Sequence, residues 1–142
     1  MDEQFAALDI EATGMDPAKH EIVEIAVVVF SREREIERFS TLVRPRGRLS
    51  LDVSRLTGIA PQELRAAPLL GDVGQTIRQL TAGRPIVGHS IEMDIAMLAA
   101  GGVDLPNPLY DTHRMATLLL PDLPNYSQTA VADALDVKYG DE

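Results

Sequence analysis

Two carboxylates close the first apolar stretch of the chain. In "AALDIEATGM" the run Phe5–Leu8 gives way to Asp9, and Glu11 follows two residues later, before a Thr-Gly turn. Residues i and i+2 of a strand point to one side, so the two acids would repel each other at the edge of a low-dielectric core. Buried charges are paired or bind metals, so this placement calls for a cation between them, or for solvent around one of them. Asp94 belongs to the same class. It follows a second short apolar run, "IVGH", and stands at the start of a helical segment. There a carboxylate could serve a metal or simply balance the helix macrodipole.

Other acids carry less. An acid-x-acid pair is expected roughly three times by chance in a chain with this acid content. Glu33, Glu35 and Glu37 share the spacing but sit at a charged hairpin, which reads as a solvated strand face. Glu92 and Asp94 share it too, but on a helix that spacing sends the two side chains to different faces, so only one can face a site. Asp111 precedes a helical stretch and reads as its N-cap rather than as a ligand.

Composition narrows the chemistry. The chain of 142 residues is expected to form a single domain over 1–142, with ordinary hydrophobic and charged content and no low-complexity tract. With no cysteine, disulfides, thiolate catalysis and cysteine-ligated zinc are excluded, so any metal must take oxygen or nitrogen ligands. The longest apolar run, Ile25–Phe30, is too short to span a bilayer, and "MDEQF" lacks the basic start of a signal peptide. A cytoplasmic location with no membrane partner is the default expectation. The net charge of -9 argues against a broad duplex-binding face. It leaves room for a pocket that grips one or two nucleotides through divalent cations.

The elements that must position these acids follow from periodicity. Residues 5–10 and 21–30 read as buried strands, the second rich in β-branched residues, and "EIERFSTLV" reads as a third. Their short connections predict an antiparallel meander. "LSLDVSRLTGI" suggests a short helix stopped by Gly58, "PQEL" starts another, and Val73, Ile77 and Leu80 share one helical face. Then "IVGH" and "EMDIAMLAA" make a strand-turn-helix step, which "LYDTHRMATLLL" repeats with Asp111 or Thr112 as cap. Ser127 should cap a last helix through Leu135. Three antiparallel strands followed by alternating helices and strands imply an α/β fold with a mixed sheet.

Together these segments resemble the DEDD (DnaQ-like) 3'-5' exonuclease family, which includes the proofreading epsilon subunit of bacterial DNA polymerase III. "DIEATGM" at 9–15 resembles the family's first motif, and "VGHSIEMD" at 87–94 its second. "SRLTGIAPQEL" is similar to the connecting segment, and "YDTHRMATLLLPDLPNYSQTAVADAL" to the stretch before the third motif. The resemblance covers essentially the whole chain and implies a ribonuclease H-like fold. It implies that Asp9, Glu11 and Asp94 are catalytic carboxylates holding two divalent ions. Hard oxygen ligands suit Mg²⁺ or Mn²⁺. Thr13 and Met15 match positions that hold the terminal nucleotide, Met15 beneath its base. His89 matches a position beside the substrate, although a hydrogen-bonded structural histidine is the competing reading. Ser90 stands where the family commonly has another polar residue, and Met93 where an aromatic is usual.

The family's third motif, His-x-x-x-x-Asp or its Tyr counterpart, has no match. The histidines are His20, His89 and His113, and neither Tyr126 nor Tyr139 is followed by Asp at the required spacing. The fourth ligand and the general base of the family are therefore missing. The expectation is a domain incomplete at its C-terminal end, with little turnover from these 142 residues alone. Asp133 and Asp136 on a helix surface, or Asp141 and Glu142 at the terminus, are poor substitutes.

The functional expectation is a metal-dependent hydrolase trimming the 3' end of single-stranded DNA, with RNA possible, attached to or associated with a polymerase or helicase. One competing reading is a non-catalytic nucleic-acid or protein binding module on the same fold. Another is a metal-dependent nuclease of ribonuclease H-like fold that cuts internally.

Overall fold

A computed structural model describes residues 2–47 and 51–138. Five strands form one sheet: β1 (Gln4–Ala12), β2 (Ile22–Ser31), β3 (Glu35–Leu42), β4 (Ile86–Gly88) and β5 (Leu109–Asp111), in the order β3-β2-β1-β4-β5. β1, β2 and β3 pair antiparallel, whereas β4 pairs parallel with β1, and β5 parallel with β4. The helices are α1 (Leu51–Thr57), α2 (Pro61–Ala66), α3 (Leu70–Thr81), α4 (Ile91–Ala100), α5 (Thr112–Leu119) and α6 (Gln128–Ala134). The mixed sheet expected from the element order is the one observed. Among the described residues no helix is long and apolar enough to cross a membrane.

The two faces of the sheet differ. Register places Ala6 opposite Val29, Leu8 opposite Val27 and Ile10 opposite Ile25. These side chains join Val73, Ile77 and Leu80 of α3 and Ile91, Met97 and Leu98 of α4 in the main core. Full burial of each Ile, Leu or Val there contributes about 1.5–3 kcal/mol relative to exposure. The alternate residues of β1 and β2, among them Phe5, Ala7, Val28 and Phe30, are only half-buried. Phe5 stacks on Phe30 at 5.5 Å between ring centroids and meets Tyr110 edge-on at 6.3 Å. Asp9 and Glu11 belong to this second, less covered face by the two-residue period of the strand.

β1 continues to Ala12, two residues beyond the stretch expected from the apolar run, so both acids lie inside the strand. Directly after Glu11 the register slips: Glu11 faces Glu24, whereas Ala12 faces Ile22. The extra residue, Val23, is buried with Ile59 and Leu64 in a second small core beneath α1 and α2. Bulges of this kind re-aim side chains near sites. β3 is the exposed edge, and Arg38 donates Nε and Nη2 to the two carboxylate oxygens of Glu35, each at 2.9 Å. Glu33, Glu35 and Glu37 are all exposed, as the solvated-face reading expects.

β4 is held close to β1 because Gly88 has no side chain. A Cβ there would lie 2.8 Å from the Leu8 carbonyl oxygen and 2.6 Å from Ile91 Cδ1. Gly88→Ala should therefore push β4 away from the residue before Asp9 and cost about 1–3 kcal/mol through overpacking. Urea unfolding monitored by circular dichroism measures it, and an unchanged midpoint would contradict this packing.

Candidate active site

The acids of β1 meet further negative charge across the strand. Asp9 pairs with Ala26, but Glu11 stands directly opposite Glu24, an arrangement that costs energy in an antiparallel pair. Burial raises the proton affinity of Glu11, and the charges of Asp9 and then Glu24 raise it further. Asp9 still meets solvent, yet burial raises its pKa as well, opposed by the Ile10 backbone N–H and by His89. Glu24 is a site neighbour that motif reading missed. Its signal is an acid inside the otherwise apolar "IVEIAVVVF", but only the register shows that it faces Glu11.

Asp94 closes the group from a different element. Of the two acids in the first turn of α4, Glu92 is exposed and Asp94 is 8% exposed, so the two do point to different faces. Burial, then the charge of Asp9 and finally that of Glu11 push the Asp94 pKa up to about 7, against the backbone N–H groups of Ile10 and of Asp94 itself. The same Ile10 N–H thus acts on both Asp9 and Asp94. Asp94 Oδ2 is fully buried and has no hydrogen-bond partner. An orphaned carboxylate oxygen beside two other acids is a costly arrangement that a cation would relieve. The donor set is all hard oxygen, which suits Mg²⁺ or Mn²⁺. Among the described residues no three His, Cys, Asp or Glu groups are already drawn together as a metal cage. The acids are thus electrostatically coupled without being closed around one point.

The turn that delivers Asp94 is clamped by Asp111. Ser90, just before α4, has a left-handed backbone with φ of 55°. Its N–H donates to Asp111 Oδ1 at 2.9 Å, and the same oxygen accepts from His113 N at 2.9 Å and Arg114 N at 3.4 Å. Asp111 is therefore the N-cap of α5, as its sequence position suggests, and it also ties α5 to the start of α4. Ser127 caps α6 by accepting from Ala130 N at 3.2 Å.

His89 is committed within the protein. Its Nε2 lies 2.7 Å from the Tyr126 carbonyl and its Nδ1 2.9 Å from Thr112 Oγ1. A carbonyl only accepts, so Nε2 carries the proton, and in the neutral ring Nδ1 accepts from the threonine hydroxyl. The ring meets His113 edge-on at 5.3 Å, and His113 meets Tyr126 at 6.2 Å. His89 thereby joins the turn after β4 to the segment that leads into α6.

Thr13 and Met15 follow Glu11 in the β1–β2 loop. Thr13 N donates to Glu21 O at 2.9 Å, and Thr13 Oγ1 accepts from Glu21 N at 3.1 Å. Met15 is 75% exposed. Gly14 lies against the His20 ring, which a Cβ at this position would strike. Asp133 and Asp136 are exposed at α6 and beyond it, whereas Asp141 and Glu142 lie outside the described residues.

Two measurements test this geometry. In metal-free buffer Asp94 keeps its proton to about pH 7 when folded, against an ordinary value of 3.8. The native state then binds more protons between these values, so the stability that Asp94 contributes should be full below about pH 4 and be lost as pH rises through about 7. Asp94→Asn should flatten that decline in denaturation curves, and Mn²⁺ should raise the stability of the native protein above pH 7. An equally steep decline in Asp94→Asn would remove Asp94 as its source. Asp111→Ala should cost about 1–2 kcal/mol through the lost cap, whereas Asp111→Asn, which keeps an acceptor, should lose less in the same assay.

Comparison with known proteins agrees with this architecture. The profile of the exonuclease family RNase_T matches residues 6–141. The DNA polymerase III subunit epsilon of Aquifex aeolicus is 30% identical over 138 residues, which cover 94% of this chain and 68% of that protein. The PolC-type DNA polymerase III of Caldanaerobacter subterraneus is 29% identical over 139 residues, covering 95% of this chain and 10% of the polymerase. The chain thus spans about a tenth of the length of such polymerases. Exonuclease X, solved in complex with 5' overhanging duplex DNA, superposes with a TM-score of 0.78 at 24% identity, over 95% of this chain and 75% of its own. Exonuclease I superposes with a TM-score of 0.79 at 20% identity, over 99% of this chain and 38% of its own. These neighbours share the ribonuclease H-like fold. With the family profile running from the first core residue of β1 past the end of α6, the chain belongs to the exonuclease family.

Proposed function

We propose that this chain is the exonuclease domain of a longer DNA-processing protein, hydrolysing the terminal phosphodiester at the 3' end of single-stranded DNA. The observation that carries the reading is the buried, unpartnered Asp94 Oδ2 beside Asp9 and Glu11, in a chain of the exonuclease family. In this reading Asp9, Glu11 and Asp94 hold two divalent ions, Mg²⁺ or Mn²⁺. Bound there, such ions supply Lewis acidity to the attacking and departing oxygens of the phosphodiester. The protein's own part is to hold three carboxylates aimed from two elements, β1 and α4, whose relative position the Gly88 contact and the Asp111 clamp maintain.

Thr13 and Met15 hold the terminal nucleotide, the Met15 side chain offering an apolar surface to any base. Such contact is tolerant of sequence, as end-trimming requires. His89 stands near enough to Asp9 to oppose the rise in that carboxylate's pKa, and its ring contributes to the substrate wall while its nitrogens meet Thr112 and Tyr126. The epsilon and PolC-type relatives support association with a replicative polymerase, as a subunit or a fused part. A purely structural binding module has no use for an orphaned buried carboxylate oxygen, which is why the hydrolase is preferred.

The test uses the full-length protein and a 5'-labelled single strand with Mg²⁺ or Mn²⁺. Progressive shortening from the 3' end is expected. Internal cuts would instead support a different nuclease on this fold, and an intact strand would defeat the enzyme reading. Asp9→Ala should reduce trimming by at least about a hundredfold, in line with the loss of a principal electrostatic stabiliser, while circular dichroism stays native. Retained trimming would remove Asp9 from the site.

A further inference from the structure

Away from the carboxylates, the protein carries a cationic hollow at the same end of the sheet. A cavity of about 680 Å³ opens between the β1–β2 loop, the segment after β3 and the C-terminal end of α4, and Lys19, His20, Arg44 and Arg46 are on its wall. A larger hollow of about 1030 Å³ lies at the opposite ends of the strands, but its arginines are occupied. Arg84 donates to Gln4 Oε1 and to the Leu80 carbonyl, and Arg78 to the Gly102 carbonyl. In contrast, Arg44 and Arg46 are exposed and have no ion-pair partner among the described residues. Among the described residues Lys19 pairs with Asp16 alone, an exposed contact at 3.6 Å that is worth little.

The acid on this wall is turned to another use. Glu21 accepts from the backbone N–H groups of Arg46 at 2.8 Å and Gly47 at 2.7 Å, so its carboxylate braces the loop after β3 from within. Lys19, Arg44 and Arg46 thus border the hollow beside one braced carboxylate, in a chain whose net charge is -9. Such a local reversal of sign focuses an anionic ligand.

Register gives the distance to the proposed reaction site. Glu11, Glu24 and Leu42 occupy one row across β1, β2 and β3. At about 4.8 Å per strand that row carries β3 roughly 10 Å from β1. This is the length of roughly three stacked nucleotides at about 3.4 Å each. Arg44 comes two residues after Leu42. The loop that begins with Thr13 and Met15 ends with Lys19, His20 and Glu21 on the cavity wall.

We propose that Arg44, Arg46 and Lys19 form a phosphate track that holds the single strand a few nucleotides upstream of its 3' end. The assignment rests on the exonuclease reading for its direction, since that reading places the terminal nucleotide at Asp9, Glu11 and Asp94. The track contacts phosphate oxygens only. It therefore adds affinity and salt dependence without base preference.

Fluorescence anisotropy of the full-length protein with labelled oligothymidylate, in EDTA and over a range of salt, tests it. The double variant Arg44→Gln, Arg46→Gln should bind more weakly, and its plot of log K against log salt should be shallower by about 1.4, at about 0.7 for each phosphate contact on a single strand. Arg44→Lys with Arg46→Lys should restore most of the slope. Equal slopes in wild type and the Gln variant would overturn the track. A wild type that shows the slope difference but never shortens a labelled strand with Mn²⁺ would defeat the exonuclease reading and leave the phosphate contacts standing. Normal trimming with equal slopes would do the reverse.

Discussion

Carboxylates crowded onto one end of a sheet repel each other, and the rest of the structure is organised around holding them there. Burial raises the pKa of Asp9, Glu11 and Asp94, neighbouring acid charge adds to the rise at Glu11 and Asp94, and one backbone N–H, that of Ile10, offsets only part of it at Asp9 and Asp94. A polypeptide relieves such repulsion by letting the side chains swing into water. Here Asp94 cannot do so, because it is buried in the first turn of a helix whose Ile91, Met97 and Leu98 are locked in the core. The strain is therefore stored in the folded state, and a proton or a cation is what discharges it.

The frame that enforces this is a short list of contacts between elements distant in sequence. β4 lies along β1 in parallel register, with Ala6 beside Ile86 and Ala7 beside Val87, and Gly88 permits the approach at Leu8. Asp111, at the end of β5, grips the N–H of Ser90 and the first turn of α5 with one oxygen. His89 reaches across to Tyr126 and Thr112. Each tie joins the turn bearing Asp94 to a later part of the chain. The two halves of the carboxylate group are thus set by the sheet on one side and by these ties on the other.

In the proposed function a strongly acidic chain acts on a polyanion and has to handle charge locally. On that proposal the acids at the end of β1 repel phosphate until cations neutralise them, while Arg44 and Arg46, which have no ion-pair partner among the described residues, attract it. On the same proposal, separating the two functions across two strands would let one end of the sheet both hold cations and guide a strand. The aligned neighbours keep this fold at 20–24% identity. Strand alternation and core volume can survive such divergence, since many apolar residues fill the same positions.

Much of this was legible in the residues themselves. The β-branched run of β2, the helical spacing of Val73, Ile77 and Leu80, and the caps at Asp111 and Ser127 are local patterns, and local geometry reads them directly. That Asp9 and Glu11 share a face, and that Glu92 and Asp94 do not, follows from periods of two and 3.6 residues. Register and packing decided the rest, because they depend on partners tens of residues away. Only the tertiary structure sets Glu24 opposite Glu11, buries Asp94 with one oxygen unpartnered, and spends both nitrogens of His89 on Thr112 and Tyr126. It also extends β1 past the expected end, since pairing with β2 continues through the two acids despite their polarity. Periodicity is written in neighbours along the chain, whereas a site is written in neighbours across it, and the latter exist only once the strands have paired.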